Sequence, residues 1–392
     1  MKIIFIGFNA RYINPTNQLI HRMLKIFADV IFYGPGFVSD EELRRGASAF
    51  FDKHGPFDFI ATTTQLAVEA NSEGTADFYQ RFSLRQWGEE PIGPFMADAR
   101  SYMRTSGLKR IVFVMDLDTH GVRADLLEQL DEFSDYIVAW GKGFSRPNSE
   151  LPYLEVERAY RSKAKMRPLG LWHSFCECRN DKFINIGHFV GPHEFDFSPL
   201  SVRRYSVSVA GQLYFSRERT LTALKRCRQL RVGSTAYRRT YSLLTKLGWS
   251  PYSHLIPHTI YRALFKQLLW ASKISMTDGG AYDMMIRKFV EIPAAGALML
   301  ARPCAGFEAL GFRDGESAII LDETDPVGQV LALLETPDRL QSIAGKGQQL
   351  VWSKHSIHAR AQQMAASLGR IQEERFAGSF WNEGEFKMIE KA

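Results

Sequence analysis

Cysteine is scarce in this chain. Four occur among 392 residues, Cys176, Cys178, Cys227 and Cys304, and so few exclude a disulfide-stapled secreted scaffold. Long apolar runs are missing too: none approaches the roughly 20 residues that cross a bilayer. The opening MKIIFIGFN holds too short an apolar stretch for a secretion signal and suits a strand. The loop after it lacks the Gly-x-Gly-x-x-Gly pattern, which disfavours an NAD enzyme. Low-complexity tracts and short internal repeats are absent. His173, Cys176, Cys178, His188 and His193 lie close in sequence. Cys-x-Cys is not the Cys-x-x-Cys of a zinc site, so interdomain packing is the expected role and no metal is expected. These absences describe a cytoplasmic protein, with peripheral contact at the inner face of a membrane left open.

What is present has the balance of a folded globular protein, 45% hydrophobic and 23% charged. A chain of 392 residues is long for one core, so two domains of similar size are expected. The net charge of +6 favours an anionic partner, whether a nucleotide diphosphate, a phospholipid surface or nucleic acid.

The first 150 residues alternate strand and helix. Short apolar runs at 2–8 (KIIFIGF), 29–33 (DVIFY), 57–61 (FDFIA), 110–115 (RIVFVM) and 136–140 (YIVAW) read as buried strands. Between the first two, Leu19, Ile20, Met23, Leu24 and Phe27 recur at helical spacing, with Thr16 placed to cap. The rhythm breaks from about 148 to 198, a stretch expected to hold the last strand of the first domain and a linker. A second alternating series starts at 205–210 (YSVSVA) and continues through 230–234, 273–276, 296–301 and 318–321 before a helical end, where Ile357, Ala361, Met364, Leu368 and Ile371 recur at spacings of three or four in a C-terminal helix that can cross back to the N-terminal domain. Strands separated by helices predict parallel, doubly wound sheets. The expected fold is α/β with two Rossmann-like domains facing a cleft: residues 1–190, then 191–370, then a C-terminal tail at 371–392. Ligands in such sheets sit at the carboxyl ends of strands.

The richest pattern runs from 261 to 322. It contains ASKISMT, then DGGAYDMMIRKFVEIPAAGALML, then CAGFEALGFRDGESAIILD. It resembles the CgeB-like glycosyltransferases, a GT-B group related to the large retaining family of bacterial glycosyltransferases. That group shows a helix ending in Ser-Lys-Ile, then Arg-x-Phe-Glu-x-x-Ala-x-Gly before an apolar strand. Here the motif falls on residues 287–296, with one extra residue before Glu291. The resemblance covers residues 205–368 and extends to the closing helices and to His193 in GPHEFD. It implies a nucleoside diphosphate sugar as co-substrate and no bound cofactor or divalent metal. It also implies that Glu291 holds the ribose hydroxyls, with Asp283, in place of the usual glutamate, near the donor sugar. Gly211 and Arg217 resemble the family's phosphate loop and its arginine. A carboxylate can bind a vicinal diol with both oxygens, and an arginine can neutralise a departing diphosphate. Lys273 is a third cationic candidate. Gly279 and Gly280 let backbone approach a phosphate, and a helix expected from Asp283 would aim its amides there. Arg287 is a further donor-site candidate; a plain ion pair between it and Glu291, four residues apart, is the structural alternative.

In the first half, MDLDTHG puts Asp116, Asp118 and His120 beyond a central strand, where a carboxylate or imidazole can take the acceptor's proton or bind the acceptor. Asn9, Arg11 and Asn14 after the first strand, and Thr62, Thr63, Thr64 and Gln65 after the third, are polar rim residues suited to sugar hydroxyls. The basic run 225–246 (Lys225, Arg226, Arg228, Arg231, Arg238, Arg239) suits a solvated helix face or an anionic lipid. The expectation is metal-independent sugar transfer to a hydroxyl acceptor, with no nucleic acid partner. A nucleotide-sugar epimerase or a silent nucleotide-binding module of the same architecture are the rival readings.

Overall fold

The computed structural model describes all residues except 10–14, 69–91, 115–123, 145–169, 212, 214, 234, 250–253, 281–282 and 392. Two parallel sheets organise it. The first has the order β2-β1-β3-β4-β5-β6, with β1 at Lys2–Ile6, β2 at Asp29–Tyr33, β3 at Phe59–Thr63, β4 at Lys109–Phe113, β5 at Tyr136–Val138 and β6 at Phe183–Ile184. The second has the order β11-β10-β9-β7-β8, with β7 at Tyr205–Val209, β8 at Val232–Gly233, β9 at Ser272–Thr277, β10 at Leu298–Ala301 and β11 at Ile319–Ile320. Register pairs such as Ile4 with Ile31 and Ile60, or Ile274 with Val207 and Leu298, place apolar side chains in rows. Both faces of each sheet are covered, so the strands read as apolar runs rather than alternating ones.

One face of the first sheet is closed from far away in sequence. The helix Thr16–Phe27 and the late helix Ile357–Gln372 lie side by side on it. Ile357, Ala361, Met364, Leu368 and Ile371 pack in one cluster with Ile3, Phe5, Leu19, Phe59 and Ile111. Burial of such side chains stabilises by about 1.5–3 kcal/mol each, so this crossing ties the C-terminus to the N-terminal domain.

The expected C-terminal tail is a β-hairpin, β12 (Phe376–Asn382) and β13 (Glu385–Glu390). It is anchored beside β6 by side chains. Ser379 Oγ accepts the Asn185 amide at 2.8 Å, and the Trp381 indole donates to Asn185 O at 2.7 Å. The sequence conceals this because residues 376–390 mix charge and apolar groups without strict alternation.

The carboxyl rims of the sheets exchange side chains. Trp140 and Phe144, beyond β5, belong to the core cluster of the second domain, where Phe144 fills the space a side chain at Gly306 would need. Met284, beyond β9, belongs to a core cluster of the first domain. Arg360, fully buried, lies between the rings of Trp140 (5.5 Å) and Trp381 (4.6 Å) and donates to His355 Nδ1 at 2.8 Å.

Candidate functional site

Two groups of charged residues sit where the domains meet. The first surrounds Arg287, at the start of the helix Lys288–Ala294. Its guanidinium is buried and touches three parts of the chain. It pairs with both oxygens of Glu194 at 2.7 and 2.8 Å and with Glu291 one turn on. It also donates to Phe189 O at 3.2 Å and to Thr16 Oγ1 at 3.1 Å. Arg262 stands 3.8 Å from Glu194 and 3.7 Å from Glu291. Burial works to raise the Glu291 carboxyl, but Arg287, Arg262 and Lys288 outweigh it and hold it below its ordinary value. Burial, with Arg287 nearby, drops His188 to about 3, so its ring is neutral, 3.3 Å from Thr16 Oγ1. A cavity of about 240 Å³ opens beside this cluster, lined by Glu194, Arg262, Phe265, Lys266, Trp270 and Glu291 among others.

The second group lies at the carboxyl ends of β7 and β9. Gly211 has φ +87°, a left-handed conformation that glycine adopts without penalty. A Cβ there would stand 2.1 Å from Lys288 Cε and 2.6 Å from its Nζ. The space left by the missing side chain is therefore filled by the lysine's stem, which delivers an ammonium to the strand end. Arg238 donates to Val209 O at 2.8 Å and Gly211 O at 3.0 Å. Among the described residues the Lys288 ammonium has no ion-pair or hydrogen-bond partner; it lies against the Gly211 backbone, with the Phe265 ring centroid 6.0 Å away. Burial, with Arg217 close by, lowers it to about 8. Glu291 and Asp278 act on it through space without pairing with it, and a partly desolvated cation at a strand end has the electrostatic character of a phosphate site.

Several expected residues are placed differently. Arg217 is buried and engaged by Asp278, with its guanidinium 2.5 Å from the carboxylate and 3.0 Å from the carbonyl. It braces the turn after β9 instead of facing a diphosphate. Lys273 lies at the amino-terminal end of β9, four residues or about 13 Å of strand from the carboxyl rim, which removes it from the site. The helix expected from Asp283 begins at Lys288. Asp283 instead turns the chain at φ +51°, a conformation in which aspartate is enriched. The Gly280 amide is engaged by Asp278 Oδ1 at 3.0 Å, and Gly279 O accepts from Met284; a Cβ at Gly279 would meet Asp283 backbone at 2.8 Å. Thr16 begins its helix behind Pro15 and does not cap it; its hydroxyl serves Arg287 and His188.

On the opposite rim, the Asn9 side chain donates to Gly36 O at 2.9 Å, Thr62 Oγ1 donates to Ile6 O at 2.8 Å, and Thr64 is buried after β3. Arg11, Asn14, Asp116, Asp118 and His120 lie outside the described residues. Cys176 packs in the first domain's core, Cys178 is exposed, and His193 lines the cavity. No group of three metal-ligating side chains gathers among the described residues.

Lys288 is the residue sequence reasoning missed. The signal was the Arg287-Lys288 doublet. Adjacent helical positions diverge by about 100°, so one cation turns to the domain junction and the other to the strand end.

Residues 217–366 match the family model described as Glycosyl transferase-like. No curated protein sequence matches the chain. The fold is similar to that of HepE from Anabaena, crystallised with UDP-glucose, at 12% identity over 94% of this chain and 99% of that one, TM-score 0.51. It is also similar to sucrose-phosphate synthase from Thermosynechococcus elongatus, at 12% identity over 95% and 100%, TM-score 0.51. A glycosyltransferase from Rickettsia africae aligns at 10% identity over 95% and 98%, TM-score 0.53. The architecture is GT-B, and the resemblance to the glycosyltransferase family is confined to residues 217–366, less than half of the chain.

Proposed function

We propose that the protein transfers a sugar from a nucleoside diphosphate sugar to a hydroxyl acceptor, and that it does so without a divalent metal. The observation that carries this is the partly desolvated Lys288 ammonium held by Gly211 at the carboxyl end of β7. Lys288, with Arg238 behind it, neutralises the diphosphate. Glu291 holds the ribose hydroxyls, and the cavity beside it receives the nucleoside. Asp283 lies near the donor sugar. In the reaction the anomeric carbon–oxygen bond breaks, and its electron pair leaves on the diphosphate. The acceptor oxygen forms the new bond to that carbon, and its proton passes to a base on the opposite rim, for which Asp116, Asp118 and His120 are the candidates. Asn9, Arg11 and Thr64 are the candidates for orienting the acceptor. Fixed positive charge aimed at the leaving group is the term a metal would otherwise supply.

UDP is the first nucleotide to test, because HepE was crystallised with UDP-glucose. UDP at about 100 times its dissociation constant should stabilise the fold by about 2.7 kcal/mol, a melting shift on the order of 5 °C. UDP-sugars should be slowly hydrolysed in the presence of a chelator. No shift and no hydrolysis with either UDP- or GDP-sugars would overturn the proposal.

A further inference from the structure

From Arg219 to Thr277 the sequence has eleven Lys and Arg and no Asp or Glu. The rest of the chain has 38 Lys and Arg against 43 Asp and Glu, so the whole positive balance comes from this segment. Much of it forms a helical hairpin, the helices Thr235–Lys246 and Leu255–Trp270, whose Tyr241 and Tyr261 rings lie 5.5 Å apart. The base of the hairpin is fixed. Arg238 bonds to the end of β7, and Arg262 reaches Glu194 and Glu291.

The described residues flanking its tip are apolar and open. Leu243 is 58% exposed, Leu247 63%, Trp249 58% and Ile256 69%, with Ile260 exposed one turn below Ile256. Leu243 and Leu247 share one face at helical spacing. Trp249 is held by its own backbone: Gly248 adopts φ +74°, and the Trp249 amide donates to Leu244 O at 2.8 Å. Arg239 and Lys246 are exposed on the first helix of the hairpin, whereas Arg231 bonds to Ser206 at the amino-terminal end of β7, so it and the cations just before it lie at the other end of the sheet.

We infer that this hairpin tip docks on an anionic lipid bilayer, with Leu243, Leu247, Trp249 and Ile256 entering the headgroup layer and Arg239 and Lys246 meeting the lipid charge. Exposed leucine, isoleucine and tryptophan beside exposed cations is the composition of an interfacial anchor. A second copy of the chain is opposed, because an acid-free hairpin would meet its own sign of charge in its counterpart. A nucleic acid leaves the aliphatic residues without partners. The nine residue steps from Arg238 to Leu247 span about 14 Å of helix, so a docked tip brings the carboxyl rim of β7 close to the headgroups. That distance suits an acceptor hydroxyl carried on a lipid, a consequence that rests on the proposed transfer; the docking itself does not.

The test is sedimentation of the full chain with vesicles of phosphatidylcholine alone or with about 30 mol% phosphatidylglycerol, near the anionic content at which surface potential becomes appreciable. No nucleotide is needed, so failure of docking and failure of the donor reading are separate results. Binding should be at least tenfold tighter on the anionic vesicles and weaken with salt. Leu247→Glu and Trp249→Glu should each lose at least tenfold with unchanged melting temperature, whereas Phe380→Glu, at an exposed site on β12, should bind like the parent. Equal affinity for neutral vesicles, no vesicle binding, or full binding by both tip variants overturns the inference. So does a concentration-dependent dimer in the absence of vesicles that Trp249→Glu abolishes.

Discussion

Replacing Lys288 by methionine separates the cost of its charge from its use. The side chain keeps nearly the same length and packing but loses the ammonium. Lowering a lysine from 10.5 to about 8 means that the folded protein disfavours the charged form by about 3 kcal/mol. That cost is present at pH 7, where the lysine is protonated in both states. It shrinks as pH rises from about 8 towards 10.5, because only the unfolded chain still binds the proton there. Lys288→Met should therefore unfold at higher urea than the parent at pH 7, by up to about 3 kcal/mol, with the difference fading above about pH 10. Binding should move the other way. A hydrogen bond to a charged group contributes about 1.5–3 kcal/mol, so titration calorimetry should show UDP bound roughly 10- to 150-fold more weakly, with uridine unaffected. In the parent, UDP affinity should fall as pH rises through about 8, and in the variant that pH dependence should vanish. A destabilised variant that binds UDP normally, or equal losses for UDP and uridine, would refute the placement of Lys288 at a phosphate.

Two more predictions concern the domain junction. Glu194→Gln leaves Arg287 buried with half its carboxylate partners and should cost about 3–5 kcal/mol in urea unfolding. The control is Glu373→Gln, on an exposed pair with Arg370, which should cost under about 1 kcal/mol; equal losses would mean that the buried pairing is no more important than the surface one. Truncation after Gln372 removes the hairpin that covers Asn185 and β6. Limited proteolysis should then cut near residues 183–185 faster than in the full chain, and an unchanged pattern would show the hairpin to be dispensable.

Fold and site were legible to different depths. The strands stood out because sheets covered on both faces demand continuous apolar runs, and each strand of the two sheets overlaps an expected one or falls in the expected linker region, as β6 does. The crossing helix was readable from Ile357, Ala361, Met364, Leu368 and Ile371, whose spacing declares an apolar stripe. The hairpin after it was not, because its anchors are single groups such as Ser379 and Trp381. Within the proposed site, Glu291 and Gly211 were singled out through motif and turn chemistry. The cations were harder, because sequence proximity carries no information on which end of a strand or side of a helix a side chain reaches. Lys273 sits at the wrong end of β9, Arg217 faces inward to Asp278, and Lys288 was hidden beside Arg287.

The late helix Ile357–Gln372 has a consequence for the order in which the molecule can assemble. During synthesis the N-terminal domain emerges first, yet part of one face of its sheet stays uncovered until residue 371 leaves the ribosome. At roughly 5–20 residues per second that interval is about 10–40 s after the last strand of that sheet has been made. For that time Ile3, Phe5, Phe59 and Ile111 lack part of their cover, and the second domain must be translated before the first is complete. The two halves are thus successive in sequence but not independent in folding, and the nascent chain offers chaperones a defined apolar surface with a fixed lifetime.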